Sequence, residues 1–144
     1  IGGSGSTLAL VVLLLVLGKK GSAERSIGKV SIIPGLFGIN EPVTFGLPIV
    51  LNPIMFIPFV FVPVINAIIG YFATSWGLVN HLVVLNSGVE PIFVNAWVLG
   101  AFTLSPVILC IVLFILDLVL YYPFVKLQIK QNTLEAQNEG AAVE

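Results

Sequence analysis

Apolar positions along this chain come in long blocks rather than in the short rhythms of a half-buried strand or surface helix. Residues 8–17 form an unbroken apolar run, and "KKGSAERSIGK" (residues 19–29) reads as a polar loop. "VSIIPGLFGINEPVTFGLP" (residues 30–48) is apolar again but carries three prolines and three glycines, so it is too interrupted for one spanning helix. The run from Ile49 to Gly77 is long enough to span, with Pro53, Pro58 and Pro63 expected to kink its first half. Residues 80–103 place Gly88, Glu90 and Pro91 mid-run, which predicts two half-helices around a break. Leu104–Phe124 is a clear spanning helix, with Tyr121 and Tyr122 as aromatics at its exit. The remainder, residues 126–144, is polar and is expected to be disordered beyond its first turn or two.

Composition turns these blocks into a class. The chain is 58% hydrophobic and 9% charged, with a mean hydropathy of +1.10; a soluble domain carries about 25% charged residues. An integral membrane protein is the reading that fits. All six basic side chains lie at Lys19, Lys20, Arg25 and Lys29 or at Lys126 and Lys130. The positive-inside rule makes both places cytoplasmic, so the chain between them crosses an even number of times. Ile49–Gly77 goes out and Leu104–Phe124 returns. The broken segments around Glu41 and Glu90 are then re-entrant, one from each side, as in transporters whose site sits at the midplane.

The expected fold is therefore all-α and integral to the membrane. It has about three transmembrane helices plus two re-entrant segments, as part of a larger permease fold. Residues 1–125 form the transport part and residues 126–144 a cytoplasmic tail. The opening "IGGSGSTLALVVLLLVLG" has no basic n-region and reads as a cut within a membrane helix, its glycines allowing close helix contact. The alternative is a simple terminus with Ser6 or Thr7 as a helix cap.

Candidate chemistry concentrates at Glu41. It lies between Asn40 and Pro42, where a carboxylate at membrane depth costs several kcal/mol unless paired or hydrated. Carboxylate and amide together match sugar hydroxyls, and equally a coupled ion or proton; a structural role as a half-helix cap is compatible with either. Glu90, in "GVEPIF", repeats the Glu-Pro pair of "NEPVTF" and is a second binding candidate, or else a cap or a solvent-exposed loop residue. Asp117 could line a pathway, but is rather expected to hydrogen-bond within the bundle or reach the headgroups. Asn52, Asn66 and Asn95 read as interhelical hydrogen-bonders. His81 reads as interfacial, Trp97 as an interfacial or packing residue that could stack on a sugar ring, and Cys110 as a small buried hydrophobe. Net charge of -1 gives no case for nucleic acid. No phosphate loop, metal spacing or Ser/His/Asp set is present, so neither a cofactor nor a metal is expected.

Three stretches carry a resemblance: "GGSGSTLAL", "PGLFGINEPVTFGLPIVLNPIMFIPFVFVPV" and "LYYPFVK". They are similar to the C-terminal half of the membrane subunit, enzyme IIC, of the sugar phosphotransferase system, in its lactose/cellobiose/chitobiose branch. The resemblance covers most of residues 2–126. It implies import of a sugar, such as a β-linked disaccharide, coupled to phosphorylation by a phosphocysteine on a IIB partner fed by IIA. It implies that Glu41, with Asn40 beside it, contacts sugar hydroxyls and can act as the general base. It also implies a homodimer formed through an N-terminal half. One departure stands out: the family's Pro-Trp-Thr-Thr-Pro motif aligns with "SGVEP", putting Gly88 at the tryptophan and Glu90 at a threonine, and the family's functional histidine lies upstream. Rival readings are a proton- or sodium-coupled secondary transporter using Glu41 and Glu90, and a non-transporting membrane scaffold.

Overall fold

The structure is a computed structural model that describes residues 5–79 and 90–143. Among these residues it is all-helical: α1 (Thr7–Leu17), α2 (Ala23–Leu36), α3 (Glu41–Gly46), a 3-10 turn at Ile49–Leu51, α4 (Pro53–Ser75), α5 (Ile92–Leu99) and α6 (Ser105–Ala142). Only α4 and α6 of the described helices are long and apolar enough to cross a bilayer; α1 has 11 residues.

α1 is apolar on every face, and a helix of that kind belongs in the middle of a bundle. It packs against α2 on one side and α6 on the other, burying Leu8 to Val11, Leu13 and Leu14. The α1–α2 approach is close because Gly28 faces it: a Cβ there would sit 3.1 Å from Leu15 Cγ. The core continues through Val43, Leu47, Ile49, Met55, Val62, Tyr121 and Val125. α4 and α5 each pack on α6, and α3 packs on α2.

Two expectations give way. The polar loop expected over residues 19–29 is mostly helix: Ser22 caps α2 by accepting from the Arg25 N–H at 3.3 Å, and Glu24 falls in the first turn, where the helix dipole favours an anion. The tail expected to be disordered continues α6 to Ala142. Its low hydrophobicity suggested disorder, but Leu, Lys, Gln, Glu and Ala are strong helix formers. One-turn amide contacts add support, Gln128 to Asn132 at 3.0 Å and Gln131 to Glu135 at 3.2 Å.

The breaks have a definite cause. After α2, the Ile39 N–H bonds Pro34 O at 3.0 Å and the Gly38 N–H bonds Gly35 O at 3.1 Å, with Gly38 at φ 78°. This paired pattern is the Schellman stop, whose left-handed residue is cheapest as glycine. α4 ends the same way at Gly77, through Leu78 to Ala73 O and Gly77 to Thr74 O. α5 ends on the same pair of bonds, but Ala101 and Phe102 hold the positive φ, at 53° and 64°. Left-handed backbone is uncommon for such residues; here the Trp97 indole N–H clamps Phe102 O at 3.0 Å.

Candidate functional site

The Schellman stop at Gly38 turns the chain so that a new, short helix opens at Glu41. Asn40 occupies its cap position, though its side chain makes no capping bond, and Pro42 follows in the first turn. The cap therefore falls one residue earlier than the sequence suggested, with Glu41 as the first helical residue. Val43 and Leu47 anchor α3 in the core, while the Thr44 hydroxyl donates to Asn40 O at 2.9 Å. Gly46 lets α3 lie against α2, since a Cβ there would meet Ile27 Cγ2 at 3.0 Å. Glu41 itself is exposed on the surface of the described chain and Asn40 is half-buried. The helix is thus pinned by its apolar side while its acidic first residue faces outward from the described chain.

Glu90 is half-buried just before α5, whose cap position is Pro91. α5 is fixed to α6 by an edge-to-face contact of Phe93 with Phe114, centroids 6.3 Å apart. α3 and α5 share no substantial interface among the described residues, so Glu41 and Glu90 sit on separately packed elements. Trp97 contacts the Phe102 ring edge-on at 5.0 Å as well as its carbonyl, and keeps part of its surface exposed. His81 and Gly88 lie outside the described residues. No group of three or more potential metal-ligating side chains occurs among the described residues. A cavity of about 500 Å³ between α1 and α6 is lined by Val12, Leu13, Val16, Leu118, Val119 and Tyr122. It offers almost no polar group and is unsuited to a sugar.

Two polar clusters hold the scaffold. In the first, Asn66 Nδ2 donates to Asp117 Oδ1 at 2.7 Å and to Ser6 Oγ at 3.1 Å. The Tyr121 hydroxyl donates to the Gly5 carbonyl. Asp117 is therefore a bundle residue, one of the two roles expected for it, and Ser6 is a cross-helix acceptor rather than the side-chain cap of α1. Tyr121, expected at the aromatic exit, is fully buried, and only Tyr122 is exposed. Helical spacing carried that signal: Asp117, Tyr121 and Val125 recur every four residues and share the buried face. In the second cluster Asn52 Nδ2 donates to Gln128 Oε1 at 2.6 Å, Gln128 to Asn132, and Asn132 Nδ2 to Glu24 Oε1 at 2.6 Å. Burial pushes the Glu24 carboxyl up, but the bonds from Asn132, its own backbone N–H and Ser22 outweigh it and hold it below its ordinary value. Sequence reading singled out Asn52 but not Gln128, Asn132 or Glu24.

A family model, "Phosphotransferase system, EIIC", matches residues 1–63. The cellobiose-specific EIIC component of Lactococcus lactis subsp. lactis (strain IL1403) is 41% identical over 134 residues, which is 93% of this chain and 26% of that protein. The lactose-specific EIICB component of Staphylococcus haemolyticus (strain JCSC1435) is 35% identical, over 91% of this chain and 22% of that one. Among solved structures, the transporter ChbC, the IIC component of the N,N'-diacetylchitobiose-specific phosphotransferase system, superposes with a TM-score of 0.89 at 45% identity. The match covers 94% of this chain and 32% of that one. The chain spans about a fifth to a third of the length of these relatives. By sequence and by fold, it belongs to the EIIC family of the phosphotransferase system.

Proposed function

We propose that this chain is the sugar-binding, membrane-embedded portion of a phosphotransferase-system permease that imports a β-linked disaccharide for phosphorylation. The observation that carries the reading is Glu41: an acidic first residue of a short helix, set off by a Schellman stop and turned away from the core that anchors that helix. In a lipid-embedded chain such a carboxylate needs a polar occupant or water. Sugar hydroxyls, each both donor and acceptor, suit Glu41 and the Asn40 amide together. Glu41 binds the sugar and accepts the hydroxyl proton as that oxygen attacks the phosphoryl donor. Glu90 contributes from the second broken segment.

Both broken segments are re-entrant in this reading. Residues 1–125 form the transport part, and residues 126–144 are a cytoplasmic tail, helical as far as Ala142. The phosphoryl group comes from a IIB partner, fed by IIA. Relatives designated EIICB components support that partnership. The sugar class is supported by relatives named for cellobiose, lactose and oligo-beta-mannoside. Dimerisation is assigned to segments outside this chain.

Uptake of labelled cellobiose, lactose and chitobiose by membranes carrying the full-length permease tests this reading. Uptake should require phosphoenolpyruvate, persist when the proton gradient is collapsed, and be lost in Glu41→Gln. Uptake driven by a proton or sodium gradient without phosphoenolpyruvate would assign the chain to secondary transport instead.

A further inference from the structure

The cluster joining the start of α1 to α4 and α6 contains a feature that the sugar reading does not use. Asp117 is 0% exposed and Asn66 7% exposed. Asp117 Oδ1 accepts from Asn66, but Asp117 Oδ2 and Asn66 Oδ1 are both buried with no hydrogen-bond partner. Buried polar atoms in folded proteins nearly always have partners, and each exception calls for a reason. Both atoms here are acceptors. One belongs to a group that is acidic, and two acceptors cannot satisfy each other.

Among the described residues, the helices that carry this cluster place no basic side chain near it. α1, α4 and α5 contain no lysine, arginine or histidine, and the first basic residue of α6 is Lys126. Besides Asp117, the titratable groups on the packed elements are Cys110, Tyr121 and exposed Tyr122 in the apolar part of α6, Lys126, Lys130, Glu135 and Glu139 in its polar end, and Tyr71 on α4. The Tyr121 hydroxyl is already given to Gly5, and Tyr71 is exposed. The chain's α-amino group lies outside the described residues. An unpaired carboxylate away from water is among the costliest arrangements a bundle can hold.

We infer that Asp117 and Asn66 form a binding site for one monovalent cation, a proton or a sodium ion, held by Asp117 Oδ2 and Asn66 Oδ1. A proton converts Oδ2 to a hydroxyl that donates to an acceptor such as the Asn66 amide oxygen. A sodium ion is hard and takes both oxygens directly. Either one neutralises the single negative charge of the cluster and supplies what both orphan atoms lack. Because Ser6, Asn66 and Asp117 come from three separate elements, occupancy controls how the residues before α1 pack on the two long helices. The inference rests on these atoms alone and stands independently of the sugar site.

The test uses the full chain in lipid nanodiscs with aspartate-selective carboxyl labelling. Infrared difference spectra of wild type minus Asp117→Asn identify the Asp117 band. Melting temperature is followed against sodium chloride, with choline chloride holding ionic strength constant. An acid carbonyl band near neutral pH that ignores sodium supports the site with a proton bound. A carboxylate band that shifts with sodium, together with a saturable rise in melting temperature absent with choline, supports it with sodium bound. An ionised Asp117 indifferent to sodium means that a buried water satisfies both oxygens, and overturns the inference. Should Asp117→Asn fail to fold, the labelled wild type still reports, because Asp117 is the sole aspartate of the 144 residues.

Discussion

Asn52 and Gln128, 76 residues apart, are joined side chain to side chain at 2.6 Å, and Asn52 also caps α4 by accepting from the Ile54 N–H at 3.0 Å. One amide thereby fixes both the start of α4 and the point where α6 turns polar. Gln128→Leu removes the acceptor and leaves a part-buried amide donor without its partner. Loss of about 1–3 kcal/mol of stability is expected. Asn52→Ala loses the cap as well, worth about 1 kcal/mol. Thermal unfolding in detergent, run as a double-mutant cycle, should show the two effects to be non-additive.

Glu24 closes the other end of this chain of amides through Asn132. Its carboxyl is held below the ordinary value of 4.5. A depressed carboxyl contributes stability that is fully present above that ordinary value and is lost as pH falls through the lower, folded-state value. Melting temperature should therefore drop on acidification below about 4.5, and Glu24→Gln should flatten that drop. An equal drop in wild type and variant would show that Glu24 takes no part in it.

The polar end of α6 is anchored only as far as it bonds to α2. Gln128 and Asn132 reach back to the scaffold, whereas residues 135–143 are exposed. Truncation after Thr133 should leave the melting temperature nearly unchanged. Truncation after Val125 should lower it clearly, because Asn52 and Glu24 both lose their partners. Equal melting temperatures for the two truncations would contradict the anchoring.

The α1–α2 crossing depends on the missing side chain of Gly28. Gly28→Val drives a branched carbon into Leu15 and Leu14, from which a Cβ alone is 3.1 Å and 3.3 Å away. Overpacking of this kind costs about 1–3 kcal/mol. Chemical denaturation should report that loss, with Gly140→Val, in open space, as the control.

Much of this was legible because membrane burial writes itself in long apolar blocks and in broken ones. The runs containing α4 and α6, the break before Glu41 and the buried Cys110 all follow from residue type. The tail's polarity points to disorder, but its helix propensity prevails. The helical start of α2 hides behind its charged residues, although "GSAER" carries a capping serine and a first-turn acid. Tyr121 shows a different limit. Its neighbour Tyr122 is chemically identical, and only the one-hundred-degree step of the helix decides which ring turns inward. The partnership of Ser6, Asn66 and Asp117 spans more than 100 residues, and no local pattern announces a contact of that range.

Equilibrium binding of labelled disaccharides to the purified full-length permease and to its Glu41→Gln variant tests the central claim most directly. A hydrogen bond to a charged group contributes about 1.5–3 kcal/mol, so the variant should bind at least about tenfold more weakly with its melting temperature unchanged. Affinity equal to wild type in a folded Glu41→Gln protein would contradict the assignment of Glu41 to the sugar.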